Sequence, residues 1–105
     1  MARQIGRPDG STPGVPEQID TKTGTGTDAF SAVIDFDKPC IEVIFFSEDA
    51  GAIFQTTYDG TNWTDDIIIP KNFMLGMEMA AQSFKVKNKV AGAGCSYTIM
   101  GRHYA

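Results

Sequence analysis

The sequence predicts an all-β protein: a jelly-roll-like antiparallel β-sandwich with an extended N-terminal arm. Three observations predict it. Apolar residues alternate at period two from Phe30 to Phe36 and again from Phe84 to Lys87. Turn signals recur about every 8–12 residues, the spacing of short strands in a sandwich or barrel. Residues 1–28 hold three of the five prolines and few apolar side chains, so they offer little to offset the entropy of ordering them. The 105 residues therefore divide into an arm, 1–28, and one β-sandwich body, 29–105.

The arm carries Gly6, Gly10 and Gly14 beside Pro8, Pro13 and Pro16, then a Thr-Gly alternation to Thr27. In isolation it is expected to be mobile and to take its order from another polypeptide. In the body, Phe30, Ala32, Ile34 and Phe36 form one face of a first strand, which Asp37-Lys38-Pro39 punctuates. Cys40–Phe46 follows. It places Ile41, Val43 and Phe45 on one face and Ile44 and Phe46 on the other, the pattern of a central strand covered on both sides. Ser47–Gly51 is a turn, and Ala52–Tyr58 is a third strand rich in β-branched and aromatic residues.

Asp59-Gly60 is the strongest hairpin turn in the chain and leads into Thr61–Ile69. Pro70-Lys71-Asn72 ends that segment. Phe73–Gln82 is ambiguous, since Phe73, Met77 and Ala81 have helical spacing. Gly76 and the neighbouring strands favour strand. Phe84 and Val86 then point inward, with Lys85 and Lys87 outward. Asn88–Gly94 is a loop, and Cys95–Tyr104 is the closing strand.

The net charge of −4 argues against general nucleic-acid binding. Lys85, Lys87 and Lys89 are expected to keep an edge soluble, with no aromatic platform among them. No apolar run reaches the ~18 residues of a membrane span, and Met1–Gly10 contains no signal-peptide core. Eight acidic residues and only Lys38 lie between Asp35 and Asp66. Five basic residues and only Glu78 lie between Lys71 and Arg102. Such a split either orients neighbouring copies or is neutralised within the body.

No catalytic constellation and no metal or cofactor site is expected. His103 is the single histidine and lacks an orienting partner in sequence, so an exposed or stacked strand position is expected. Cys40 and Cys95 are expected to be reduced core thiols. Glu48-Asp49 and Asp65-Asp66 read as solvated turn residues rather than calcium ligands. Asn62-Trp63-Thr64 matches a glycosylation sequon by chance. Tyr58, Asp59, Asn62 and Trp63 together suggest a rival reading, stacking and hydrogen bonding to a glycan.

Tyr58-Asp59-Gly60-Thr61-Asn62-Trp63 resembles a turn found in small β-sandwich proteins of bacteriophage virions. Phe84–Asn88, Ala91-Gly92 and Tyr97–Gly101 are similar to the closing hairpin of the same proteins. The resemblance spans about half of the body. It implies a capsid decoration, or cement, protein that is not an enzyme. Such a protein is made in the host cytoplasm and sits on the capsid surface. Its expected partners are copies of itself, as a homotrimer, and the major capsid protein or another virion protein. Arg3, Ile5, Arg7 and Val15 are the expected arm contacts, the arginines forking onto acidic groups and the apolar residues filling pockets. The alternative is a carbohydrate-binding module of a phage tail or fibre.

Overall fold

The computed structural model describes residues 17–104. They form an antiparallel, all-β, jelly-roll-like body, with no helix among them. The strands are β1 (Glu17–Thr25), β2 (Ile34–Ser47), β3 (Ala52–Thr57), β4 (Ile67–Ile69), β5 (Phe73–Asn88) and β6 (Ser96–Tyr104). They lie in the order β1-β6-β2-β5-β3-β4.

Two long strands let one sheet curl over its own core. Residues 73–84 of β5 pair with β2, and residues 83–88 pair with β3. Phe54 of β3 therefore faces Phe45 of β2, with ring centroids 5.0 Å apart, and meets Tyr97 of β6 edge-on at 5.9 Å. Phe84 and Phe36 extend this cluster, 5.4 Å apart. The inward residues Val43, Ile69, Val86 and Ile99 fill the space around the rings. Burying each such side chain stabilises the fold by about 1.5–3 kcal/mol.

Three elements differ from the sequence expectation. Asp37-Lys38-Pro39 does not end a strand. From Asp35↔Ser83 to Cys40↔Ala81, β2 advances five residues while β5 advances two. The extra residues form a bulge that bends β2, and a bulge accommodates a proline that cannot donate to the ladder. Phe73–Gln82 and Phe84–Lys87 are likewise one strand, β5. Leu75, Met77 and Met79 alternate toward the core, and the strand reading of that stretch holds. Thr61–Ile69 contributes a strand only from Ile67. Before it, the Thr64 hydroxyl accepts from the Thr56 N–H at 3.1 Å, so a side chain replaces a ladder carbonyl.

The reading of 1–28 as an arm meets the described residues only from 17 onward. There Glu17–Thr25 is an edge strand that pairs with β6 from Glu17↔Tyr104 to Thr25↔Ser96. Its order comes from backbone hydrogen bonds more than from apolar burial, which is why a count of oily side chains missed it. The following segment stays on the body as well: Asn88 N–H donates to Thr27 O at 2.7 Å, and Ser31 N–H to Val86 O at 2.9 Å.

Candidate functional site

The outward side of β1-β6-β2-β5 is built from three cross-strand rows, because directly paired residues share a face. One row is Ile19, Arg102, Glu42 and Glu78. The next is Thr21, Met100, Ile44 and Gly76. The third is Thr23, Thr98, Phe46 and Met74. Their inward neighbours Val43, Phe45 and Ile99 are completely buried. The outward residues are not: Ile19 is 63% and Met74 56% exposed, and Ile44, Phe46 and Met100 are half-buried by one another.

The sequence led us to expect β2 to be covered on both faces. Among the described residues it is covered on one. An open antiparallel sheet face ordinarily carries polar side chains. Here Ile44, Phe46, Met74 and Met100 make its centre apolar. Gly76 keeps that centre flat: a Cβ there would meet only Ile44 Cγ1, at 3.7 Å. The acidic row borders it. Arg102 Nε donates to Glu42 Oε1 at 2.8 Å, whereas Glu78 is exposed and has no ion-pair partner among the described residues. The signal for this face was present in the sequence as the outward pair Ile44 and Phe46.

Arg3, Ile5, Arg7 and Val15 lie outside the described residues. The glycan candidates lie together on the loop after β3. Tyr58 is exposed, and Gly60 takes the turn with φ +83°. Asp59 uses its oxygens internally: Oδ1 accepts from the N–H groups of Asn62 (2.8 Å) and Thr61 (2.9 Å), and Oδ2 from Asn62 Nδ2 (2.7 Å). These donors hold its carboxyl far below the usual carboxylate range. Trp63 is half-buried, with Lys85 Nζ 4.4 Å from its ring centroid.

Lys85 also lies 5.1 Å from the Phe30 ring, and Lys87 lies 4.7 Å from it. The expectation that no aromatic groups accompany these lysines is therefore corrected. Phe30 and Trp63 are far from them in sequence, and only the fold brings the rings onto β5. The ammonium charges rest on ring faces, which ties the 26–33 segment and the 59–66 loop to the same strand.

His103 is buried rather than exposed, and its Nδ1 is 3.0 Å from the Tyr104 carbonyl, the geometry of an N–H donor. Cys40 and Cys95 are buried free thiols, as expected. Burial, then the nearby Asp20 charge, pushes the Cys40 thiol up to about 11. Asp49 ties a turn to β6 by accepting from Ser96 N–H at 2.8 Å, and Asp66 accepts from Gln55 at 2.8 Å. Among the described residues no group of three or more His, Cys, Asp or Glu side chains is placed to hold a metal ion.

Comparison with family models gives no match, and neither does comparison with curated protein sequences. Among solved structures the chain is similar to a cupin superfamily protein from Desulfitobacterium hafniense. The identity is 9% and the TM-score 0.48, over 87% of this chain and 79% of that one.

Proposed function

We propose that the chain is a structural protein of a bacteriophage particle, a capsid decoration protein that associates with copies of itself and stabilises the shell. The observation that carries this reading is the outward face of β6-β2-β5, where Ile44, Phe46, Met74 and Met100 form a contiguous apolar surface on a sheet whose other side is the core. Contiguous exposed apolar surface of this kind marks an interaction site. The resemblance of the Tyr58–Trp63 turn and the closing hairpin to virion β-sandwich proteins supplies the setting. The partners in this reading are further copies, as a trimer, and the major capsid protein, and the site is the capsid surface.

The experiment is incorporation into particles. Phe46→Lys leaves the buried core untouched and places a charge at the centre of the face. Particles assembled with this variant are expected to lack the protein, while circular dichroism shows the same sheet content as the parent. Normal incorporation of folded Phe46→Lys overturns the proposal. A glycan array run in parallel tests the carbohydrate reading. Binding lost in Trp63→Ala, with particle incorporation absent in the parent, favours that alternative.

A further inference from the structure

We propose that the outward side of β3 and the last turns of β5 binds an acidic saccharide, with Lys85 and Lys87 donating to its carboxylates and Gln55 accepting from a hydroxyl. The inference goes beyond the assembly reading and uses none of the residues of the assembly face.

The first observation is that neither ordinary explanation of these lysines fits. The sequence suggests that Lys85 and Lys87 keep an edge soluble, and the fold corrects this. Their stretch of β5 pairs with β3 on one side, through Gln55↔Lys85 and Ile53↔Lys87. On the other side Ser31 N–H donates to Val86 O, and Asn88 N–H donates to Thr27 O. There is no open edge here to protect. Ion pairing does not account for them either. Among the described residues neither lysine has a carboxylate partner, in a chain whose net charge is −4.

The second observation is that aromatic rings hold both ammonium groups in place. Lys85 Nζ lies 4.4 Å from the Trp63 ring centroid and 5.1 Å from that of Phe30, and Lys87 Nζ lies 4.7 Å from Phe30. Two cations are thus gathered around one ring with no anion between them. A ring face attracts an ammonium but leaves N–H donors available for an oxygen acceptor. Cations already held this way lose less freedom when an anion arrives.

The third observation is a hydroxyl acceptor beside the cations. Gln55 is paired with Lys85, so the two share the outward side. Gln55 Nε2 donates to Asp66 Oδ1 at 2.8 Å, and its Oε1 has no protein donor among the described residues. Donors for a carboxylate next to an acceptor for a hydroxyl match a sugar acid, which carries both groups on one ring. A DNA strand fits less well. It would bring phosphates against the exposed Asp65 and Asp66 and has few hydroxyls to offer Gln55. The turn residues Asp59 and Asn62 contribute little, since Asp59 is engaged by the Asn62 and Thr61 N–H groups and by Asn62 Nδ2.

The test is a titration of the full chain, read by calorimetry and by the emission of Trp63, the only tryptophan. The probes are hexamers of galacturonate, mannuronate and sialic acid, the methyl ester of the galacturonate hexamer, and an oligothymidylate. At least one acidic hexamer is expected to bind saturably, more weakly as salt is added. The neutral ester is expected not to bind. Lys87→Gln, which leaves the Trp63 stack intact, is expected to lower the affinity about tenfold. Its circular dichroism and its entry into particles are expected to match the parent. Absence of saturable binding to all three acidic hexamers overturns the inference. So does unchanged affinity in folded Lys87→Gln, or binding of oligothymidylate as tight as that of the acidic hexamers. None of these results touches the assembly reading, which stands or falls on Phe46→Lys.

Discussion

The backbone N–H of Asp37 donates to the buried carboxylate Oδ2 of Asp20 at 2.6 Å, which fastens edge strand β1 to the bulge of β2. Lys22 Nζ lies 3.2 Å from Asp37 Oδ1 and 3.5 Å from Asp20 Oδ1, spanning the junction from outside. Asp20→Ala leaves the Asp37 N–H without this acceptor at a part-buried site. It is expected to destabilise the body by about 1–3 kcal/mol in urea unfolding. Lys22→Ala, at a more solvated position, is expected to cost less than Asp20→Ala. Equal effects would mean that the buried bond does not fasten β1.

Gly101 on β6 is required by close packing. A Cβ there would overlap Cys40 Sγ and press on the Phe36 ring. Gly101→Ala is expected to cost about 1–3 kcal/mol. Combining it with Cys40→Ala removes the sulfur and is expected to recover part of that loss relative to the sum of the single changes. Strict additivity in thermal unfolding would show that the two sites do not touch.

The Lys85–Trp63 stack carries a separate prediction. Lys85→Met keeps an apolar stem and removes the charge, with an expected loss of about 0.5–2 kcal/mol. Trp63 is the only tryptophan, so its fluorescence reports directly on the change. A double-mutant cycle with Trp63→Ala is expected to show coupling between the pair. Zero coupling and an unaltered emission spectrum would contradict the stacking.

Acid is expected to loosen the loops before the aromatic core. Asp59 is held low by the Asn62 and Thr61 N–H groups, Asp49 by Ser96, and Asp28 by Gly92 and Asn88. Each ordinary value is near 3.8, and each folded value lies lower. Below the ordinary value the unfolded chain therefore binds more protons than the folded one. The stabilisation is complete above it and is lost as pH falls through it toward the depressed values. Thermal unfolding followed from about pH 5 downward should show a falling midpoint, with a weaker dependence in Asp59→Asn. A midpoint that does not fall would contradict these assignments.

Sequence pattern revealed the alternating core well. Phe84 and Val86 were placed inward, and Asp59-Gly60 was read as a turn. It divided β2 and β5 too finely, because Pro39 resembles a chain break locally while a bulge accommodates it, and because the helical spacing of Phe73, Met77 and Ala81 set that stretch apart from Phe84–Lys87. It also missed β1, whose anchoring lies in backbone pairing and in the Asp20–Asp37 bond rather than in apolar side chains. The assembly face was legible only in part. Ile44 and Phe46 announced a second apolar side of β2, but which of β2's two sides is left uncovered by the described residues depends on the way the sheet curls.

The central claim is that this open side of the sheet is covered when copies assemble. The most direct measurement is the solution mass of the intact chain and of Phe46→Lys by sedimentation equilibrium over a range of concentrations. The account predicts a multimer for the intact chain and a folded monomer for the variant. A monomeric intact chain at every concentration, or a variant that associates as strongly as its parent, would contradict it.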